Sequence, residues 1–114
     1  MKEFIFIFRT DYQAIPQDSP EEMQAMAKQW QDWIGSIAAQ NKLVETGKQL
    51  SFEGKVVRPN NVVTDGPYTE IKEAMGGYMF VKVEAVDEAI ELAQGCPILK
   101  IGGSVEIRET MQQS

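Results

Sequence analysis

The run Phe4-Ile5-Phe6-Ile7-Phe8, closed by Arg9 and Asp11, constrains this chain more than any other feature. Aromatic and β-branched residues favour a strand, and so short an apolar run between polar residues suits one. Side chains alternate along an extended backbone, so Phe4, Phe6 and Phe8 point to one side and Ile5 and Ile7 to the other. Both sides are apolar, and both therefore need covering. The run is too short for the apolar centre of a secretion signal, and nothing in the chain approaches the ~18–20 residues that span a bilayer.

Downstream, Ser19-Pro20-Glu21-Glu22 predicts a helix start. Ser19 caps, Pro20 suits the first helical position, and Glu22 completes a capping box. The helix is expected from about Pro20 to about Asn41, with Met23, Met26, Ala27, Trp30, Ile34, Ile37 and Ala38 on its buried stripe and Trp33 off the centre. Val44 to Leu50 reads as a strand with Gly47 at a bulge. Lys55–Arg58 and Val62–Thr64 read as a hairpin turning at Asn60-Asn61, and Pro59 assigns it to a sheet edge. Asp65-Gly66-Pro67-Tyr68 reads as a turn and Gly76-Gly77 as a break. Tyr78 to Glu84 is the next strand, with Met79, Val81 and Val83 opposite Tyr78, Phe80 and Lys82. A second helix from Val86 to Gln94 is stopped by Gly95 and Pro97, and Ser104 to Arg108 forms the last strand.

This order predicts a single α+β domain over residues 1–114. It matches the ferredoxin-like split β-α-β pattern, with an antiparallel sheet and an inserted edge hairpin. Two helices cover one face of such a sheet. The other face carries Ile5 and Ile7, and burying each such side chain is worth roughly 1.5–3 kcal/mol. The expected solution is a homodimer, two copies packing open sheet face on open sheet face.

Eleven Lys and Arg against 17 Asp and Glu leave a net charge of −6, which argues against nucleic acid or an anionic membrane as partner. The chain has no His, so neither a His ligand nor a His general base is available, and neither metal nor cofactor is expected. Cys96 is the single cysteine, which excludes an intrachain disulfide and makes a reducing cytoplasm the expected compartment.

Thr64-Asp65-Gly66-Pro67-Tyr68-Thr69-Glu70-Ile71-Lys72-Glu73, followed by Gly76-Gly77-Tyr78, Asp87-Glu88-Ala89, Cys96-Pro97 and Gly102-Gly103-Ser104-Val105-Glu106-Ile107-Arg108, resembles the YCII-related family, and within it the branch named for its DGPF motif. The resemblance spans nearly the whole chain. It implies a ferredoxin-like fold and a dimeric α/β barrel. Some YCII-like members resemble small cofactor-free lyases of chlorinated aromatics with a His-Asp pair for proton transfer; here only Asp65 matches that pair, and the motif's Phe is Tyr68. Other DGPF members are associated with extracytoplasmic-function sigma factors, which implies a regulatory role.

Several residues then bear on function. Asp65 is either a turn aspartate bonding nearby backbone amides or a carboxylate at a cleft mouth, available as acid or base. Glu70 and Lys72 share a face of an extended backbone. They are either a surface ion pair or a base and a cation that holds an acidic substrate. Tyr68 either fills the core edge or bonds a ligand. Tyr78 shares a face with Phe80, and with Arg9 at its rim this face either packs in the dimer or lines a pocket. Cys96 reads as an inert packed thiol. Two functions remain open: cofactor-free acid/base chemistry by Asp65 or Glu70 on a small anionic or aromatic metabolite held by Arg9, Tyr68, Lys72 and Tyr78, and a non-catalytic ligand-sensing or regulatory module. A cofactor-free oxygenase rests on fold analogy alone.

Overall fold

The computed structural model describes residues 1–11, 19–66 and 73–111. The order is β1 (Lys2–Thr10), α1 (Pro20–Ala39), β2 (Leu43–Glu45), β3 (Gly54–Arg58), β4 (Val62–Gly66), β5 (Ala74–Val83), α2 (Val86–Ala93) and β6 (Ser104–Glu109), with short 3₁₀ turns at Pro59–Asn61 and Pro97–Ile101. The main sheet has the order β2-β5-β1-β6, every neighbour antiparallel. This is the α+β, split β-α-β arrangement expected from the sequence. The sheet is open and does not close on itself.

β1 sits inside the sheet, as its two apolar faces require. Phe4, Phe6 and Phe8 point to the helices with Met79, Val81 and Val83, and all six are buried. Trp33 and Ile37 from α1, Ala89 and Ala93 from α2, and Ile98 complete this core. Phe6 and Trp33 stack at a centroid distance of 6.3 Å, and Phe8 meets Trp30 edge-on at 5.1 Å. Ile5 and Ile7 lie on the other face, directly opposite Phe80 and Tyr78 in the register.

α1 begins as expected: the Ser19 hydroxyl accepts from the Glu22 N–H at 3.2 Å. It ends in a left-handed Asn41 (φ 60°), with the Asn41 N–H donating to the Ala38 carbonyl and the Lys42 N–H to that of Ile37. Those two bonds satisfy the last carbonyls and turn the chain into β2. The buried stripe differs from the expected one. Met23 is 61 % exposed, whereas Trp33 is buried at 8 %. The periodicity defines an apolar side of the helix but not which turns of it meet the sheet: the first turn of α1 is exposed and Met26 in the second is only half-buried. Trp33 pays no polar penalty, because its indole N–H donates to the Leu92 carbonyl at 2.9 Å.

α2 starts at Ala85, which has no capping side chain; Glu88 reaches back and accepts from the Glu84 N–H at 2.8 Å while pairing with Lys42 at 3.2 Å. The Glu84 N–H, and then Lys42, hold the Glu88 carboxyl below its ordinary range.

Two other expectations change. β3 and β4 form a separate two-stranded ribbon, not an edge of the main sheet. β2 is three residues long, and the chain bends beyond it at Gly47 (φ 64°), so no straight edge is left to template a further strand. The ribbon turns at Asn60 and Asn61, both left-handed (φ 67° and 61°), as asparagine permits. Asp65 and Gly66, expected in a turn, are the last residues of β4. Likewise Gly76-Gly77 lie within β5 and form a bulge there: Phe8 pairs with Gly77 and Arg9 with Met75, so Gly76 is the extra residue.

Cys96 is buried at 2 % exposure, and burial pushes its thiol up to about 11, only partly offset by a backbone hydrogen bond with Ile98. The folded state therefore favours the neutral thiol. An unfolded thiol ionises near 9.0, so this contribution is intact below that pH and is lost as pH rises toward 11. The urea midpoint is expected to fall between pH 8 and pH 10.5 by more in the wild type than in Cys96→Ser; equal falls would show that the thiol is not protected.

Candidate functional site

The segment from Leu43 to Leu50 runs as a strap along the outer edge of β5. Leu43 pairs with Val81 and Glu45 with Phe80, and a second contact forms between Gln49 and Gly77. The Tyr78 N–H donates to the Lys48 carbonyl at 3.4 Å, and the Leu50 N–H to that of Gly76 at 2.8 Å. Gly47 lets the strap lie this close: a Cβ there would sit 2.0 Å from the Tyr78 carbonyl oxygen.

Between this strap, α1 and the end of the sheet lies a cavity of about 370 Å³. That is the lower part of the range for small-molecule sites and suits a molecule of one or two rings. Its apolar lining comes from Phe8, Trp30, Ile34, Met79, Ile98 and Ile101. The polar side is the strap itself, with Thr46, Lys48 and Gln49, and the Gly76-Gly77 backbone with Tyr78. Among the described lining residues, Lys48 is the only charged one, and there is no carboxylate and no thiol. Such a lining can stack or enclose an aromatic ring and neutralise one negative charge.

Of the residues singled out in the sequence, Tyr78 lines this cavity. Arg9 does not. Its guanidinium pairs with Glu106 at 3.1 Å and donates to the Glu73 carbonyl at 3.1 Å, which ties β1 to β6 and to the chain entering β5. Asp65 lies on the ribbon, ion-paired with Lys55 across the register, with its side chain 88 % exposed. It is not among the lining residues. Tyr68, Glu70 and Lys72 lie outside the described residues. Lys48 and the strap were not legible as site features, because Gly47 signals only a bulge and nothing local tells which groove the bulge overhangs. No cluster of three or more His, Cys, Asp or Glu side chains with metal-binding geometry occurs among the described residues. No helix among them is long and apolar enough to cross a membrane.

The family profile described as YCII-related domain matches residues 5–113. No curated protein matches. Among solved structures, 5-chloro-2-hydroxyhydroquinone dehydrochlorinase (TftG) from Burkholderia phenoliruptrix AC1100, in complex with 2,5-dihydroxybenzoquinone, is similar at 16% identity and a TM-score of 0.47, covering 96% of this chain and 95% of that one.

Proposed function

The chain belongs to the YCII-related domain family, and from that premise we propose that it is a homodimeric domain binding a small aromatic anion in the strap cavity. The observation that carries this reading is an aromatic and aliphatic lining with one cation, Lys48, among its described residues. A ring buried there gains roughly 25 cal/mol per Å² of apolar surface removed from water, and a charge-assisted bond to the ammonium adds about 1.5–3 kcal/mol. The cavity replaces the Asp65-Gly66 region as the place where a ligand is expected.

Binding without turnover is favoured over acid/base chemistry. Asp65 is held by Lys55 on the exposed ribbon, and no described lining residue is a carboxylate. Proton transfer would require Glu70 to reach the cavity. A ligand-sensing or regulatory role fits a site that encloses and does not react. Dimerisation is supported by the sheet face away from the helices, where Ile5, Tyr78 and Phe80 stay partly exposed around the buried Ile7, Tyr78 and Phe80 edge-on at 5.9 Å.

The test is a titration with 8-anilinonaphthalene-1-sulfonate, an aromatic anion, followed by its own emission and by quenching of Trp30. Saturable binding is expected, weakened at least about tenfold in Lys48→Glu, which corresponds to about 1.4 kcal/mol. Equal affinity in the two proteins would remove Lys48 from the site and the reading with it.

A further inference from the structure

We infer that the strap cavity takes its ligand apolar end first, and so selects a monoanion whose charge and apolar group stand at opposite ends, as in a 4-alkylbenzoate. The inference rests on the site proposed above and adds the direction of entry and the chemical class that this direction selects.

The lining is graded from inside to outside. Phe8, Met79 and Ile98 are 7%, 1% and 2% exposed and form its deep part. Trp30, Ile34 and Tyr78 are half-buried, whereas Thr46, Lys48 and Gln49 are exposed. The polar side chains of the strap therefore stand on the solvent side, and the three deepest side chains offer no hydrogen-bond donor. Strap main chain is already engaged where it meets β5. The Lys48 carbonyl accepts from the Tyr78 N–H, and the Leu50 N–H donates to the Gly76 carbonyl.

This gradient decides which end of a ligand goes in. An anionic group among Phe8, Met79 and Ile98 would lose its water and gain no partner, the costliest kind of burial. Beside the exposed Lys48 it keeps its water and meets an opposite charge. An alkyl or aryl end is favoured at the opposite place, where it displaces water from apolar walls. Leu50 and Ile101 also line the cavity and are 43% and 39% exposed, so the apolar wall continues out to solvent and can follow an elongated molecule along its length. A second charge at the far end of the ligand would be driven into the deep part. The net −6 of the chain disfavours a dianion as well.

The test is a calorimetric titration with benzoate, 4-ethylbenzoate, 4-butylbenzoate and terephthalate, each below its micelle range. Every methylene is expected to tighten binding roughly fourfold, which corresponds to about 0.8 kcal/mol. Terephthalate is expected to bind at least about tenfold more weakly than 4-ethylbenzoate, which has nearly the same length. Lys48→Met should weaken the monoanions by a common factor and leave the gain per methylene unchanged. With methyl-labelled protein, the terminal methyl of 4-butylbenzoate should show nuclear Overhauser contacts to the Met79 and Ile98 methyl groups. No saturable binding by any member, or binding indifferent to Lys48, overturns the site itself and this inference with it. Lys48-dependent binding that gains nothing from the alkyl group, that takes terephthalate as tightly as 4-ethylbenzoate, or that brings the butyl methyl to Leu50 and Ile101 instead, overturns the direction of entry alone and leaves the site standing.

Discussion

Phe6→Ala is expected to destabilise the protein by about 3–5 kcal/mol. Phe6 is fully buried, stacked on Trp33, and flanked in the register by Met79 on β5 and Ile107 on β6. Removing its ring leaves a hole roofed by an indole and walled by two paired strands. Neither wall can move in without breaking ladder bonds, so little of the space closes. A domain of this size has about 5–15 kcal/mol to lose, so the variant stands at the edge of unfolding at 25 °C. Urea titration followed by tryptophan emission is the measurement, because Trp33 changes environment as the core opens. The melting temperature should drop by roughly 10–20 °C. A loss below about 1 kcal/mol would mean that the Phe4-Phe6-Phe8 face is not the packed core.

The second large effect is expected at Gly47. Valine there places a Cβ 2.0 Å from the Tyr78 carbonyl oxygen, on a backbone at φ 64° that β-branched residues avoid. The far atom is main chain of β5, so the strap must yield. Its bonds from the Tyr78 and Leu50 N–H groups then open, at about 0.5–1.5 kcal/mol each. Together with the backbone strain, the expected loss is about 2–4 kcal/mol, and because the strap is a cavity wall, affinity for 8-anilinonaphthalene-1-sulfonate should fall at least about tenfold. Gly35→Ala is the control. A Cβ at Gly35, inside α1, meets nothing within 4 Å, and the change should stabilise by about 0.5–1 kcal/mol without touching binding. If Gly47→Val binds the dye like the wild type, the strap does not wall the site.

What could be read from the sequence was local. Phe4 to Phe8 announces a strand apolar on both faces, Ser19-Pro20 announces a helix start, and Asn60-Asn61 announces a left-handed turn; each depends on neighbours a few residues away. What could not be read depends on distant chain. Trp33 rather than Met23 enters the core because α1 meets the sheet at its C-terminal half. The ribbon stands apart because β2 is too short to carry it. The cavity arises where residues 46–50 meet Phe8, Trp30 and Ile98, four stretches that no periodicity joins. Arg9 was legible as an end-of-strand cation, but Glu106, which engages it, lies 97 residues away.

The central place of β1 also sets the order in which the molecule can assemble. Its partners are residues 74–83 and 104–109, so β1 emerges well before the strands that pair with it. At roughly 5–20 residues per second, the ribosome leaves that hydrophobic ribbon without its neighbours for about 5–20 s. Sheet formation is thus slow, since long loops must close before any ladder bond rewards them. A nascent chain ending before Ser104 exposes an unpaired, sticky edge, which makes the C-terminal strand the element whose loss turns a folding polypeptide into an aggregating one.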